Sequence, residues 1–283
     1  MNNIGDALIY GRKRLKDGGI ASYALDSRLL LCHVLKVDNL FLLMHNDFAL
    51  SAENKDKYLE MLERRLNGVP LAYLTNEKEF MSLMFYVDEN VLIPRPDTEI
   101  LTEFAIKTIR ENGFKIGLEI GAGSGAVSVS VCKYCEQMEM TAVDISEEAL
   151  SVAERNAASN GVENRLVFFR SDLFGQIPPF KYDIIVSNPP YIKTTDMESL
   201  SDDVKTEPEL ALHGGLDGLD FYKRITAESV SFLADNGVIA YEIGFDQAAA
   251  VKDLLASFHF TQIEVLKDLS GLDRVVAGKW KEQ

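Results

Sequence analysis

Three rhythms of apolar and polar positions divide the chain. Up to about residue 75, apolar residues recur at intervals of three and four, the period of a helix face. Ala24–Leu35 has this spacing, with Asp26 placed as its expected cap, and Glu53–Leu66 has it again through Tyr58, Leu59, Leu62 and Leu66. Asn67-Gly68-Val69-Pro70 then stops the helix. A small helical bundle over residues 1–75 is predicted, of a kind suited to gripping a partner. From 77 to 93 the rhythm shortens. Phe80–Leu83, Phe85–Val87 and Val91–Ile93 bracket turns, which predicts a β-hairpin linker over 76–95. Pro94-Arg95-Pro96-Asp97-Thr98-Glu99 closes it, and the periodic stretch Glu99–Arg110 predicts a helix starting there.

From about 115 onward, strands and helices alternate. Strands are predicted at Ile116–Ile120, Met140–Val143, Leu166–Phe169, Tyr182–Val186, Val238–Ile243, 261–266 and 274–279. Helices are predicted at Ala126–Cys135, Ser146–Asn160 with Ser146 as cap, Phe221–Leu233 and Gln247–Phe258. Such alternation predicts an α/β domain over 96–283, a doubly wound parallel sheet with helices on both faces. Ligands of these sheets bind beyond the carboxyl ends of the strands, which is where the unusual residues of this chain fall.

The first unusual stretch is Gly121-Ala122-Gly123-Ser124-Gly125, between a strand and a helix. Glycines permit positive φ and close approach of a ligand to the backbone. The turn lacks the Lys-Ser/Thr ending of a phosphate-cradling loop and departs from the dinucleotide pattern GxGxxG. It suits an uncharged amino-acid-and-ribose ligand. The second strand ends at Asp144, an acid able to accept both hydroxyls of a ribose. The third leads to Asp172-Leu173, an acid and an apolar face for an adenine. Either acid alone reads as a turn residue, but at successive strand ends of one sheet they point to a nucleoside cofactor.

The fourth strand ends at Asn188-Pro189-Pro190-Tyr191. A planar amino group conjugated to a π system is a poor nucleophile, because its lone pair is delocalised. Two acceptors aimed at its two N–H bonds draw the nitrogen toward tetrahedral geometry. The Asn188 side-chain oxygen and the Pro189 carbonyl can be those acceptors, with proline stiffness fixing the carbonyl's direction. Tyr191 can stack on the flat group. A sulfonium methyl placed in line then needs mainly positioning.

Composition narrows the classes. The chain has 283 residues, 47% hydrophobic and 26% charged, enough for one large or two modest domains. A net charge of −15 disfavours a phosphate backbone as partner. No stretch approaches the roughly 18 apolar residues of a membrane span, and the start MNNIGDALIYGRKRLKDGG lacks an apolar signal core. Three cysteines fit a reducing cytoplasm. Cys132 and Cys135 form one CxxC with no second, and the four histidines are scattered, so no metal site is expected.

Taken together, the motifs resemble the class I S-adenosylmethionine-dependent methyltransferases that act on planar amino groups. More narrowly, Pro70–Thr75, Glu79-Phe80, Leu92–Glu99, Glu207–Leu212, Gly214–Gly218, Tyr241–Gly244 and Leu269–Arg274 are similar to segments of the HemK/PrmC family, the release factor N5-glutamine methyltransferases. The resemblance covers nearly the whole chain. It implies a Rossmann-like catalytic domain behind a helical release-factor-docking domain, and methylation of the Gln in the GGQ loop of peptide chain release factors, yielding S-adenosylhomocysteine. It further implies that Gly121, Ala122, Gly123, Ser124, Gly125, Asp144, Asp172, Leu173 and Asn188 hold the cofactor. Asn188, Pro189, Pro190 and Tyr191 would take the glutamine amide. Relatives place an aromatic residue where Leu173 stands. Arg95 fits either substrate contact or a buried ion pair, and Thr98 and Glu99 would lend support. A cytoplasmic monomer is expected, with neither nucleic acid nor membrane as partner. The alternatives are an adenine-N6 or guanine-N2 nucleic-acid methyltransferase, whose binding would fall steeply with salt, and a non-catalytic scaffold.

Overall fold

The computed structural model describes residues 1–282. In chain order come α1 (Ile4–Asp17), α2 (Tyr23–Leu35), α3 (Asn39–Met44), α4 (Ala52–Leu66), α5 (Leu71–Thr75), β1 (Lys78–Phe80), β2 (Leu83–Phe85), α6 (Thr98–Asn112), β3 (Ile116–Ile120), α7 (Ala126–Tyr134) and β4 (Glu139–Asp144). They are followed by α8 (Glu147–Asn160), β5 (Leu166–Arg170), β6 (Tyr182–Ser187), α9 (Asp202–Lys205), α10 (Asp220–Ser229), β7 (Leu233–Glu242), α11 (Ala248–Ser257), β8 (Thr261–Lys267) and β9 (Asp273–Lys279). The chain divides into two compact units, residues 1–77 with 201–206, and residues 78–200 with 207 onward. Residues 201–206, inside the span expected for the α/β domain, thus cluster with the helical one.

In the first unit, Asn3 and Ser51 cap α1 and α4 by accepting the backbone N–H of Asp6 and Asn54. The helices bury Ile4, Leu15, Leu30, Leu31, Leu42, Tyr58 and Leu62 completely. Gly11 lets α1 and α4 close, since a Cβ there would stand 2.0 Å from the Tyr58 hydroxyl oxygen. Asp26 is not a cap: α2 starts earlier, behind Ser22, and Asp26 lies inside its first turn. Its buried carboxylate accepts from Arg65 Nε at 2.7 Å, while the Arg65 guanidinium also forks onto Asp203 at 3.0 and 3.1 Å. The pairing offered by a buried guanidinium outweighs the capping preference.

In the second unit, β1 and β2 form a small antiparallel hairpin, and a seven-stranded sheet runs in the order β5-β4-β3-β6-β7-β9-β8. Val91–Ile93 adds no strand to the hairpin. Strands β3 to β7 pair in parallel, but β9 is antiparallel to both β7 and β8. The all-parallel expectation fails there because β8 and β9 are joined directly through a tight turn, too short for a crossover helix. Asp268 fastens that turn by accepting from Ser270 N, Leu272 N and Arg274 Nε. Side chains alternate between two cores. Ile184, Val186, Val238 and Ala240 face α6 and α7, whereas Ile185, Ile239 and Tyr241 face α10 and α11. The helix expected to reach Leu233 ends at Ser229, because Leu233 pairs with Tyr182 at the start of β7. Cys132 and Cys135 are buried free thiols, and burial pushes the Cys132 thiol up to about 12.

Removing one partner of a buried ion pair leaves an uncompensated charge. Arg65→Ala is therefore expected to destabilise the helical unit by about 3 kcal/mol. Arg14→Ala, which breaks an exposed pair with Glu63, should leave the urea midpoint nearly unchanged.

Candidate active site

The sheet changes direction between β3 and β6, where the strand order runs outward both ways from one crevice. Ile120 pairs with Val143 on one side and Ser187 on the other, and the Ser187 hydroxyl donates to the Ile120 carbonyl at 2.7 Å. The ends of β3, β4, β5 and β6 therefore lie side by side. A cavity of about 500 Å³ opens along this edge.

The glycine turn forms its floor. Gly121 and Gly123 have φ of +75° and +52°, and a Cβ on either would meet nothing within 4 Å. Gly125 differs: at φ +74° it lies against α8, where a Cβ would stand 3.0 Å from Ala153 Cβ, and it does not line the cavity. Asp144 clamps the turn, with Oδ2 accepting from Gly123 N at 2.9 Å and Oδ1 from Ser146 N at 3.0 Å. Burial raises its pKa against these two N–H groups. Each oxygen keeps a lone pair for a further donor. Glu119 lines the cavity beneath the turn and accepts from Ser128 N at 2.9 Å. Its burial pushes the carboxyl up to about 7.

Asp172 and Leu173 also line the cavity. Both Asp172 oxygens accept from Arg224 Nη2 at 2.9 Å, so that acid is already engaged by an arginine from α10. Leu173 adopts φ +51°, unusual for a branched side chain, and is held by the Ser171 hydroxyl donating to its carbonyl at 2.7 Å.

Asn188, Pro189 and Pro190 form the opposite wall. Asn188 Nδ2 donates to Thr98 Oγ1 at 3.2 Å, from the first residue of α6. Behind them stands Glu242, at the last position of β7 and 1% exposed. The Thr98 and Asn188 side chains both favour its charged form, while Oε2 has no hydrogen-bond partner. Arg95 lines the cavity and also pairs with the buried carboxylate of Glu207, which accepts from Ile93 N. Glu99 accepts from Met81 N at 2.7 Å, a structural task. Tyr191 is not brought to the cavity wall: its ring packs with the core beneath α10 and α11, and burial raises its phenol.

Three participants went unassigned in the sequence: Glu242, Glu207 and Arg224. Glu242 had a signal, a single acid ending the apolar run Val238–Tyr241. Glu207 opened the segment Glu207–Leu212 that carries part of the family resemblance, and Arg224 had no signal, since its partner Asp172 lies far away along the chain. Among the described residues, no group of three or more His, Cys, Asp or Glu could hold a metal ion.

The glycines should separate by phenotype. Gly125→Ala is expected to lower thermal stability, by about 1–2 kcal/mol from the left-handed backbone alone. Gly121→Ala should carry a similar backbone cost without an added steric one, because nothing stands within 4 Å of the place its Cβ would take. Glu119 adds a pH dependence. With a folded pKa raised from 4.5 to about 7, its contribution is fully present below pH 4.5 and is lost as pH rises through 7. Glu119→Gln should remove this loss, on the order of 3 kcal/mol, from the pH dependence of urea unfolding.

The PrmC N-terminal domain family matches residues 6–75, and the methyltransferase small domain family matches residues 95–205. A release factor glutamine methyltransferase of Clostridium acetobutylicum is 41% identical over 278 residues, covering 96% of this chain and 97% of that relative. The Agrobacterium fabrum protein of the same description is 37% identical, covering 98% and 99%. A methyltransferase structure from Pyrococcus furiosus, 18% identical, superposes with a TM-score of 0.55 over 79% of this chain and 99% of that one, a likeness of fold. Identity of this degree, sustained along both chains, places the sequence in the release factor glutamine methyltransferase family.

Proposed function

We propose that the chain methylates the side-chain amide nitrogen, N5, of the Gln in the GGQ motif of peptide chain release factors, modulating translation termination. The observation that carries this reading is the placement of Asn188 on the same cavity as Gly121, Gly123 and Asp144. The residues fit S-adenosylmethionine: open space stands where Gly121 and Gly123 lack a Cβ, and the Asp144 carboxylate has lone pairs left for a diol. When bound, this cofactor supplies an electrophilic methyl group on a sulfonium.

The chain's own residues do the rest. Gly121 to Ser124 cradle the amino-acid part, and Gly125 sets the turn by packing. Asp144 holds the ribose. Leu173 offers an apolar face to the base, while Asp172 acts through its pair with Arg224. Asn188 Oδ1 and the Pro189 carbonyl accept the two N–H bonds of the substrate amide, and the proline pair keeps them in place without reorganisation. Tyr191 supports this corner from the core. Arg95, tied to Glu207, borders the substrate side. A monomer suffices, because all these residues belong to one unit of one chain. A cytoplasmic setting suits a substrate taken from translation.

The test is incubation with methyl-labelled cofactor and, separately, a release factor and DNA. Label in the tryptic GGQ peptide, with a mass gain of one methylation, is expected; label on DNA alone overturns the reading. Asn188→Ala should lower kcat about a hundredfold, with affinity for S-adenosylmethionine kept within about threefold.

A further inference from the structure

An asparagine amide looks nearly the same either way round, so something must decide which end faces the substrate. The proposed reaction needs the oxygen outward. Here Asn188 Nδ2 donates inward to Thr98 Oγ1 at 3.2 Å. A hydroxyl that accepts this bond remains free to donate its own proton elsewhere. If the hydroxyl donated to Asn188 instead, the amide would turn and present its NH2 to the cavity, where it would repel the substrate N–H groups. What Thr98 does is set by the acceptor open to its proton, and the buried Glu242 carboxylate, whose Oε2 lacks a partner and whose charged form Thr98 favours, is suited to be that acceptor.

We propose that Glu242 is a positioning residue for the methyl transfer: its ionised carboxylate takes the Thr98 hydroxyl proton in a hydrogen bond, Thr98 thereby accepts from Asn188 Nδ2, and Asn188 Oδ1 is held toward the substrate amide. This rests on the reaction proposed above. The relay also has an electrostatic consequence. As the substrate nitrogen gains positive charge, a buried anion behind the Asn188 dipole strengthens Oδ1 as an acceptor in a site of low dielectric.

The surroundings keep this carboxylate sensitive to pH. Burial is the largest influence on it, and its Oε2 lacks a hydrogen-bond partner. Asp97, at the start of α6, raises its pKa further, while Thr98, Arg274 on β9 and Asn188 favour the charged form. Arg274 is shared, pairing with Asp97 at 3.1 Å and Asp268 at 3.0 Å. The phenols of Tyr191 and Tyr222 also face Glu242, and both are raised by burial, so they stay neutral. The outcome is a carboxyl titrating at about 7, well above its ordinary 4.5. The acceptor is therefore fully in place only above neutrality.

The experiment has two arms. In the first, the Asn188 side-chain 15N signal of the full chain is followed against pH with S-adenosylmethionine present and no acceptor protein. It is expected to titrate with a midpoint near 7 in the wild type and to stay flat in Glu242→Gln. In the second, kcat and KM are measured on a release factor. Glu242→Gln should lower kcat at pH 8 by at least tenfold, leave KM and cofactor affinity within about threefold, and abolish the rise of kcat through neutrality. Thr98→Val, which keeps the carboxylate but cuts the relay, should reproduce the fall in kcat at pH 8 and stands in should Glu242→Gln fail to fold. A pH-independent Asn188 signal in the wild type, or a Glu242→Gln enzyme with wild-type kcat and pH profile, overturns the proposal. If the wild type leaves release factors unmethylated while the first arm titrates as expected, the substrate reading fails and the relay stands.

Discussion

The parallel register between β3 and β6, with Ile120 opposite Ser187, is the constraint on which the site depends. Parallel strands all deliver their carboxyl ends to one edge of the sheet. Here that edge receives a glycine turn, the Asp144 carboxylate and an Asn-Pro-Pro segment from residues spread over some seventy positions of sequence. The Ser187–Ile120 hydrogen bond ties the two central ends directly. A slip of one residue would turn Ile184 and Ile185 to the wrong cores and carry Asn188 away from Thr98.

Along the same edge the molecule buries carboxylates that a purely structural design would avoid. Asp144, Glu119 and Glu242 all have pKa values raised by burial. Each is only partly compensated, Asp144 by hydrogen bonds from backbone N–H groups, Glu119 by one from Ser128, and Glu242 by the influence of Thr98, Arg274 and Asn188. Perturbed acids gathered around one cavity mark a functional region. By contrast, the buried pair of the helical unit, Asp26 with Arg65, is fully engaged and far more conventional.

Much of this was legible in the chain. The 3.6-residue and twofold rhythms located the helical unit, the hairpin and the alternating strands. The glycine turn at Gly121 and Gly123, the acid ending β4 and the Asn188–Pro190 segment stood out by residue type, and the structure brings them to one cavity. Errors clustered where a nonlocal partner decided the outcome. Asp26 reads as a cap until Arg65 is brought beside it, and Leu233 reads as helical until Tyr182 pairs with it. Asp172, read as an acid beside an apolar face, is also paired by Arg224 from α10, a partner no local pattern announces.

The sequence by itself determined the alternation of elements, the positions of the strand ends and the chemistry available at each, because periodicity and turn residues act locally. Tertiary structure decided what those groups face. It sorted Gly125 from Gly121 and Gly123 by the nearness of α8, and packed the half-buried Tyr191 against the core. It joined Arg95 to Glu207 and set Glu242 behind Thr98 and Asn188. These outcomes depend on desolvation and on partners far apart along the chain, and neither exists until the chain has packed.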